Sequence, residues 1–525
     1  MADTSPLLSP SISPELEEDS IKKLAGSLDD TIEQCIGGFG LAQLLQAVLV
    51  SFAWVFDAQQ TFISVFSDQQ PSWHCTDAND RACRSATSPC ELPISSWAWD
   101  RPLQTSMVSE WNLTCGSSLL ASLPASSFYV GCLLGGLLLS TLADSCLGRK
   151  NMLLLSCSLM SLTGILTVFS NNVWTYSLLR FVSGFGRATI GTCALVLSTE
   201  LVGKKWRSEV GVISFFCFTL GFLSLPLLAF LGSESSWRVL YLWTSAPTLC
   251  YCLFVYFLVH ESPRWLFVRG RIDEAIRTLR KIAATNGHEL DYDLSGFCPE
   301  EEPQNVNIFS AMKILWENRW TFRRLLAMMV VSFGVGLVYY AMPLAVEILN
   351  FNHFLSVTFN ALSELPAALL TFFLIGRLNR RSMVLVFTLL SGATSIACGI
   401  MSERGGKRTK WVQIGLEVGS FFSACTTFNV LLIYTLELFP TCVRNSAVSL
   451  VRQAVVLGGA FGPVLVAVGR KEGGSPISFG VFGLAIGLCG LFVVSLPETR
   501  GTVFCDTMEE QEREERTETQ DSAKA

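Results

Sequence analysis

The stretch Leu178–Arg207, "LLRFVSGFGRATIGTCALVLSTELVGKKWR", decides how this chain is built. It is apolar and long enough to cross a bilayer, which takes roughly 20 residues of helix. Yet Arg180, Arg187 and Glu200 lie along it. An ionisable side chain at membrane depth is costly, and by default it marks a pathway or a gate. The frame from Glu200 to Arg207 returns as Glu437 to Arg444 in "ELFPTCVR", 237 residues further on.

The surrounding composition agrees. Half of the 525 residues are hydrophobic and only 16% are charged, against about 25% for a soluble chain. The apolar residues fall in twelve long blocks: 39–66, 119–142, 152–170, 174–199, 209–231, 237–259, 325–349, 353–376, 383–401, 411–436, 445–469 and 477–496. In lipid a segment must satisfy its own backbone hydrogen bonds, so each block reads as a helix. The expected fold is an all-α membrane protein with twelve transmembrane helices. The net charge of −6, with acid concentrated in the tails, argues against a nucleic-acid partner. Residues 1–38 lack the short apolar core of a cleavable signal, so the first block is expected to direct insertion. That Ser/Pro/acid-rich tail and residues 497–525 read as solvated cytosolic segments.

Basic residues gather in alternate loops: Arg149 and Lys150, then Lys204, Lys205 and Arg207, then Arg377, Arg380 and Arg381. The turns at 171–173, 232–236 and 350–352 have none, although 402–410 and Arg470–Lys471 break the pattern. Cytosolic loops carry such an excess, so both termini are expected in the cytosol. The large loop 67–118 then faces the outside or a lumen. Its Cys75, Cys83, Cys90 and Cys115, with the sequon at Asn112, fit an oxidising, glycosylating compartment. Four cysteines leave the pairing open. His74 beside Cys75 is too little for a zinc site, and neither metal nor cofactor is expected.

Three echoes divide the chain in two. Glu200 answers Glu437 and Glu261 of "ESPR" answers Glu498 of "PETR", both at an offset of 237, while "GRK" (148–150) answers "NRR" (379–381) at 231. Residues 39–259 and 325–496 therefore read as related six-helix halves, joined by a hydrophilic connector, 260–324, in which "RIDEAIRTLRKIAATNG" is a short amphipathic helix.

Parallel halves of this kind resemble the major facilitator superfamily. "LADSCLGRK" is similar to its inner-loop signature, and "ESPRWL" and "LPETRG" to the terminal signatures of its sugar-porter and organic-ion branches. The resemblance implies a cytosolic gate built from Asp144, Arg149, Glu200, Arg207, Glu437 and Arg444. The chain departs from the pattern in the spacing from Asp144 to Gly148, at Ser145 and at Gly376. Asp57 and Arg180 fall where proton-coupled sugar porters place an acid–arginine pair, which implies proton coupling. "NALSELPAA" around Glu364 and "GLVYYAMPL" around Tyr339 resemble organic cation and carnitine transporters, and the N-terminal tail and the opening stretch resemble their plant members most. A carboxylate among aromatic faces suits a quaternary ammonium ion, which donates no hydrogen bonds. Tyr339, Tyr340, Glu364, Phe333, Phe428 and Arg452 are the implied substrate contacts. Val456 and Gly191 stand where relatives hold an acid and an aromatic. Arg187 and Arg452 leave room for a zwitterion's carboxylate.

The leading expectation is a secondary active carrier of small organic cations or zwitterions such as carnitine, monomeric and driven by protons or membrane potential. No ATP-binding or hydrolase motif suggests an enzyme. The alternatives are a proton-coupled sugar or polyol porter, which the absence of a Gln-Gln pair in the seventh block opposes, and a non-transporting sensor. "DTSPLL" (3–8) has acidic-dileucine spacing, which makes the vacuolar membrane a candidate beside the plasma membrane.

Overall fold

The computed structural model describes residues 40–77, 80, 82, 83, 86, 88–142, 147–203, 206–287, 313, 315–349, 351–401, 407–472, 475–500 and 508–513. Asp144, expected in the gate, lies outside the described residues.

Each apolar block becomes one long helix: α1 Leu41–Ser67, α2 Ser118–Leu139, α3 Arg149–Thr167, α4 Val173–Glu200, α5 Glu209–Leu231, α6 Trp237–Leu258, α7 Arg319–Leu349, α8 His353–Ile375, α9 Arg380–Met401, α10 Thr409–Leu438, α11 Cys442–Arg470 and α12 Pro476–Ser495. Polar residues set the starts that follow short turns. The side chains of Asn172, Ser236 and Asn352 accept backbone N–H bonds at the first turns of α4, α6 and α8, satisfying donors a helix leaves open. Large apolar side chains such as Phe257, Phe372 and Leu227 point outward, as a lipid-facing surface requires.

The halves meet where α2 lies along α11 and α5 along α8. One face carries the amphipathic connector helix Ile272–Thr285, which buries Ala275, Leu279, Ile282 and Ala283 against the first half. The opposite face carries the loop between α1 and α2, with antiparallel strands β1 Trp73–Cys75 and β2 Trp97–Trp99. Its four cysteines pair as Cys75–Cys83 and Cys90–Cys115. Glu110 fixes this loop to the start of α6 by accepting from Trp237 Nε1 at 2.7 Å and Arg238 at 2.6 Å.

The halves lock together toward the loop face. His353 Nε2–H donates to the Val65 carbonyl at 3.0 Å, and Phe354 meets the rings of Phe66 and Phe230 at 5.8 and 5.7 Å. Outside this seal lies a vestibule of about 1250 Å³ under the loop, lined among others by Arg101, Glu347, Asn352, His353 and Arg470.

Candidate functional site

The middle of the molecule gathers charges and aromatic rings from both halves. Asp57 of α1 is almost fully buried, and a buried carboxylate must be paired. Arg187 of α4 supplies the partner through two parallel bonds, Nε to Oδ1 at 2.7 Å and Nη2 to Oδ2 at 3.0 Å. This corrects the sequence expectation, in which Arg180 paired with Asp57. Arg180 is 1% exposed and bonds elsewhere: to the Gln60 carbonyl at 3.3 Å, to Ser64 Oγ at 3.0 Å, and over the Phe128 ring at 4.1 Å. It belongs to a second cluster around Asp68, whose carboxylate accepts from Tyr176 at 2.7 Å and Ser67 at 2.8 Å. Burial pushes the Asp68 carboxyl above its ordinary range, against those hydrogen bonds and the nearby Arg180.

In the second half, Glu364 of α8 accepts from the Tyr339 hydroxyl of α7 at 2.7 Å and from Thr219 of α5 at 3.2 Å. Among the described residues no cation pairs with it. Tyr339 stacks on Phe421 and Phe428 at 5.6 and 5.5 Å, with Phe62 edge-on at 6.1 Å. Tyr340 turns toward the first half, 4.8 Å from Tyr129 and against Arg187. The structure therefore brings Tyr339, Tyr340, Glu364 and Phe428 together with Asp57. Phe333 stands apart, its ring on the half-exposed Phe461 at 5.8 Å. Arg452 of α11 lies within electrostatic reach of Asp57, Arg187 and Tyr340. Among the described residues it makes no ion pair.

The connector face repeats one device in each half. Glu261 accepts the backbone N–H groups of Arg149 and Lys150 at 3.0 and 3.1 Å, covering the start of α3, and Glu498 does the same for Arg380 and Arg381 at 2.8 and 3.2 Å, covering α9. Helix starts attract carboxylates for this reason. Gly148 has φ +82° and a side chain there would collide with Glu261, so glycine is required. Arg149 approaches Glu200 at 3.9 Å, and Arg380 holds Glu437 at 3.0 Å. Arg444 donates to the Phe439 carbonyl at 3.2 Å. Burial raises the Glu261 carboxyl above its usual range, and the backbone donors oppose that rise.

Sequence reasoning passed over Asp68, Glu347 and Glu417. Asp68 sits two residues beyond the first apolar block and reads as loop. Glu347 and Glu417 lie inside blocks, where a lone acid is itself a signal.

Two six-helix halves around a shared polar and aromatic centre define a transporter of the major facilitator fold. The model for "Sugar (and other) transporter" matches residues 48–512. The chain is 58% identical over 493 residues to organic cation/carnitine transporter 3 of Arabidopsis thaliana, covering 93% of each. It is 30% identical to organic cation/carnitine transporter 2 of Homo sapiens, over 80% of this chain and 74% of that one. A partially occluded, inward-open structure of the xylose transporter XylE from E. coli superposes with a TM-score of 0.60 at 17% identity, covering 88% of this chain and 99% of that one. The chain belongs to the organic cation/carnitine transporter family and is a multi-pass membrane protein.

Proposed function

We propose that the chain carries small organic cations or zwitterions by alternating access, with the connector face in the cytosol. One observation carries this reading: Glu364 is buried among aromatic rings, and its partners are hydroxyls. An isolated buried carboxylate is costly unless a charge compensates it, and a quaternary ammonium among Tyr339, Phe421 and Phe428 would do so through charge and cation–π attraction. Arg452 would receive the carboxylate of a zwitterion. The Asp57–Arg187 pair would couple protons: protonating Asp57 releases Arg187, and re-forming the pair returns the proton. The paired latches at Glu200 and Glu437 would make the closed state discrete.

Asn112, exposed on the loop face, would carry a glycan, and residence would be in the vacuolar or plasma membrane. Counterflow in proteoliposomes tests the function. Preloaded tetraethylammonium should drive uptake of labelled tetraethylammonium, with carnitine competing and glucose inert. No exchange by the purified protein would leave a sensor; competition by glucose alone would leave a sugar porter.

A further inference from the structure

Helix α8 carries four polar residues at intervals of four: Asn352, Ser356, Asn360 and Glu364. That spacing places them on one face, each step about 6 Å along the axis. Asn352 lines the vestibule, and Glu364 ends the file midway along α8. Between them stands Glu417 of α10, fully buried, with a single described donor: Asn360 Nδ2–H to Oε1 at 3.0 Å. Three buried atoms here have no hydrogen-bond partner among the described residues: Glu417 Oε2, Asn360 Oδ1 and Ser356 Oγ.

The deficit has a specific form. If Glu417 is ionised, two acceptors, its own Oε2 and Asn360 Oδ1, are left buried with no donor among the described residues, which is costly for each. A proton on Oε2 turns one of them into a donor and leaves the amide carbonyl as its natural acceptor. A carboxylic acid and a primary amide are complementary in this way, whichever orientation the amide takes. Among the described residues the titratable group facing Glu417 is Cys398 of α9, and no cation faces it.

We propose that Glu417 is a proton-binding site of the second half, loaded from the loop-face vestibule along the α8 file and separate from Asp57. Hydronium in the vestibule gives its proton by way of the Ser356 hydroxyl, which accepts one proton and releases another, to Glu417 Oε2, leaving water; Asn360 holds the carboxyl in place, and the reverse step returns the proton to water. The site rests on the transport reading above. Its partner Asn360 lies one turn from Glu364, which lets a proton and the substrate's charge act on the same stretch of α8.

The test has two arms. Counterflow of tetraethylammonium by the wild-type protein, without a pH gradient, examines transport alone; its failure removes the transport reading and leaves the proton site to the second arm. In that arm, infrared spectra of the purified full chain at neutral pH are compared with those of Glu417→Gln. A carboxylic-acid carbonyl band present in the wild type and missing from the variant supports the site. An unchanged spectrum overturns it, since the three atoms would then be served by water or sodium. Where counterflow succeeds, one coupled proton under a one-unit pH gradient is worth about tenfold in accumulation. Glu417→Gln should lose about that factor, and Ser356→Ala should slow the approach to the same plateau. Full gradient-driven accumulation by Glu417→Gln would also sink the proposal.

Discussion

The two halves are near copies on the connector face and unlike in their interiors. Glu261 and Glu498 cover the starts of α3 and α9, Lys150 and Arg381 reach carbonyls near the ends of α6 and α12, and Arg149 and Arg380 meet Glu200 and Glu437. Deeper in, Asp57 of the first half is neutralised by Arg187, while Glu364 and Glu417 of the second are held by hydroxyls and an amide. On the proposed reading, rocking would use matched hardware on both sides, and binding and coupling would use groups whose charge is left incomplete until a ligand or a proton arrives.

The largest test of that contrast is Arg187→Ala, which strands a buried Asp57. Removing one partner of such a pair costs about 3–5 kcal/mol, so thermal unfolding in detergent should show a much less stable protein. Adding Asp57→Asn should recover a good part of the loss; a single variant as stable as wild type would mean the pair contributes no net support.

Glu364→Gln should fold normally, because its partners are hydroxyls that an amide also serves. Losing one charge-assisted contact of about 1.5–3 kcal/mol should weaken tetraethylammonium binding by roughly 10- to 150-fold, read as the concentration that half-saturates counterflow. Tyr339→Phe, which keeps the ring and loses the hydroxyl on Glu364, should weaken binding less, by about 1 kcal/mol. Tyr339→Ala should be worse than Tyr339→Phe by about another 1–2 kcal/mol, the cation–π share. Equal effects of the two changes would mean that the ring does not face the cation.

The smallest effect concerns the latch. Because burial raises the Glu261 carboxyl, the folded chain binds that proton more tightly than the unfolded chain. Stability from this group is therefore gained as pH falls toward the ordinary 4.5 and lost as pH rises through the raised value. The melting temperature of wild type relative to Glu261→Gln should rise as pH falls from neutral to about 4.5; the opposite slope would mean that the backbone donors outweigh burial.

The helices were legible because lipid enforces long apolar runs, and the halves because the latches recur at a fixed offset. Asp57, Glu364 and Tyr339 were legible as an acid or an aromatic at membrane depth in a recognisable frame. The arginine on Asp57 was not. Arg180 and Arg187 are seven apart and share a helical face, so periodicity cannot choose between them. The choice follows from Asp68, Ser64 and the Gln60 carbonyl, which hold Arg180 three-dimensionally. Glu417 was visible as one acid in "WVQIGLEVGSF"; its importance depends on Asn360, fifty-seven residues away.

The cysteine-bearing loop is tied to both halves. Glu110 pins it at Trp237 and Arg238 of the first, while the Gln70 N–H donates to Glu347 of the second at 2.8 Å and Arg101 lies over the Phe354 ring at 5.6 Å. On the proposed cycle those ties across the seam must break before the halves part on this side, so a binder clamping this visor to both rims would stall transport without entering the cavity.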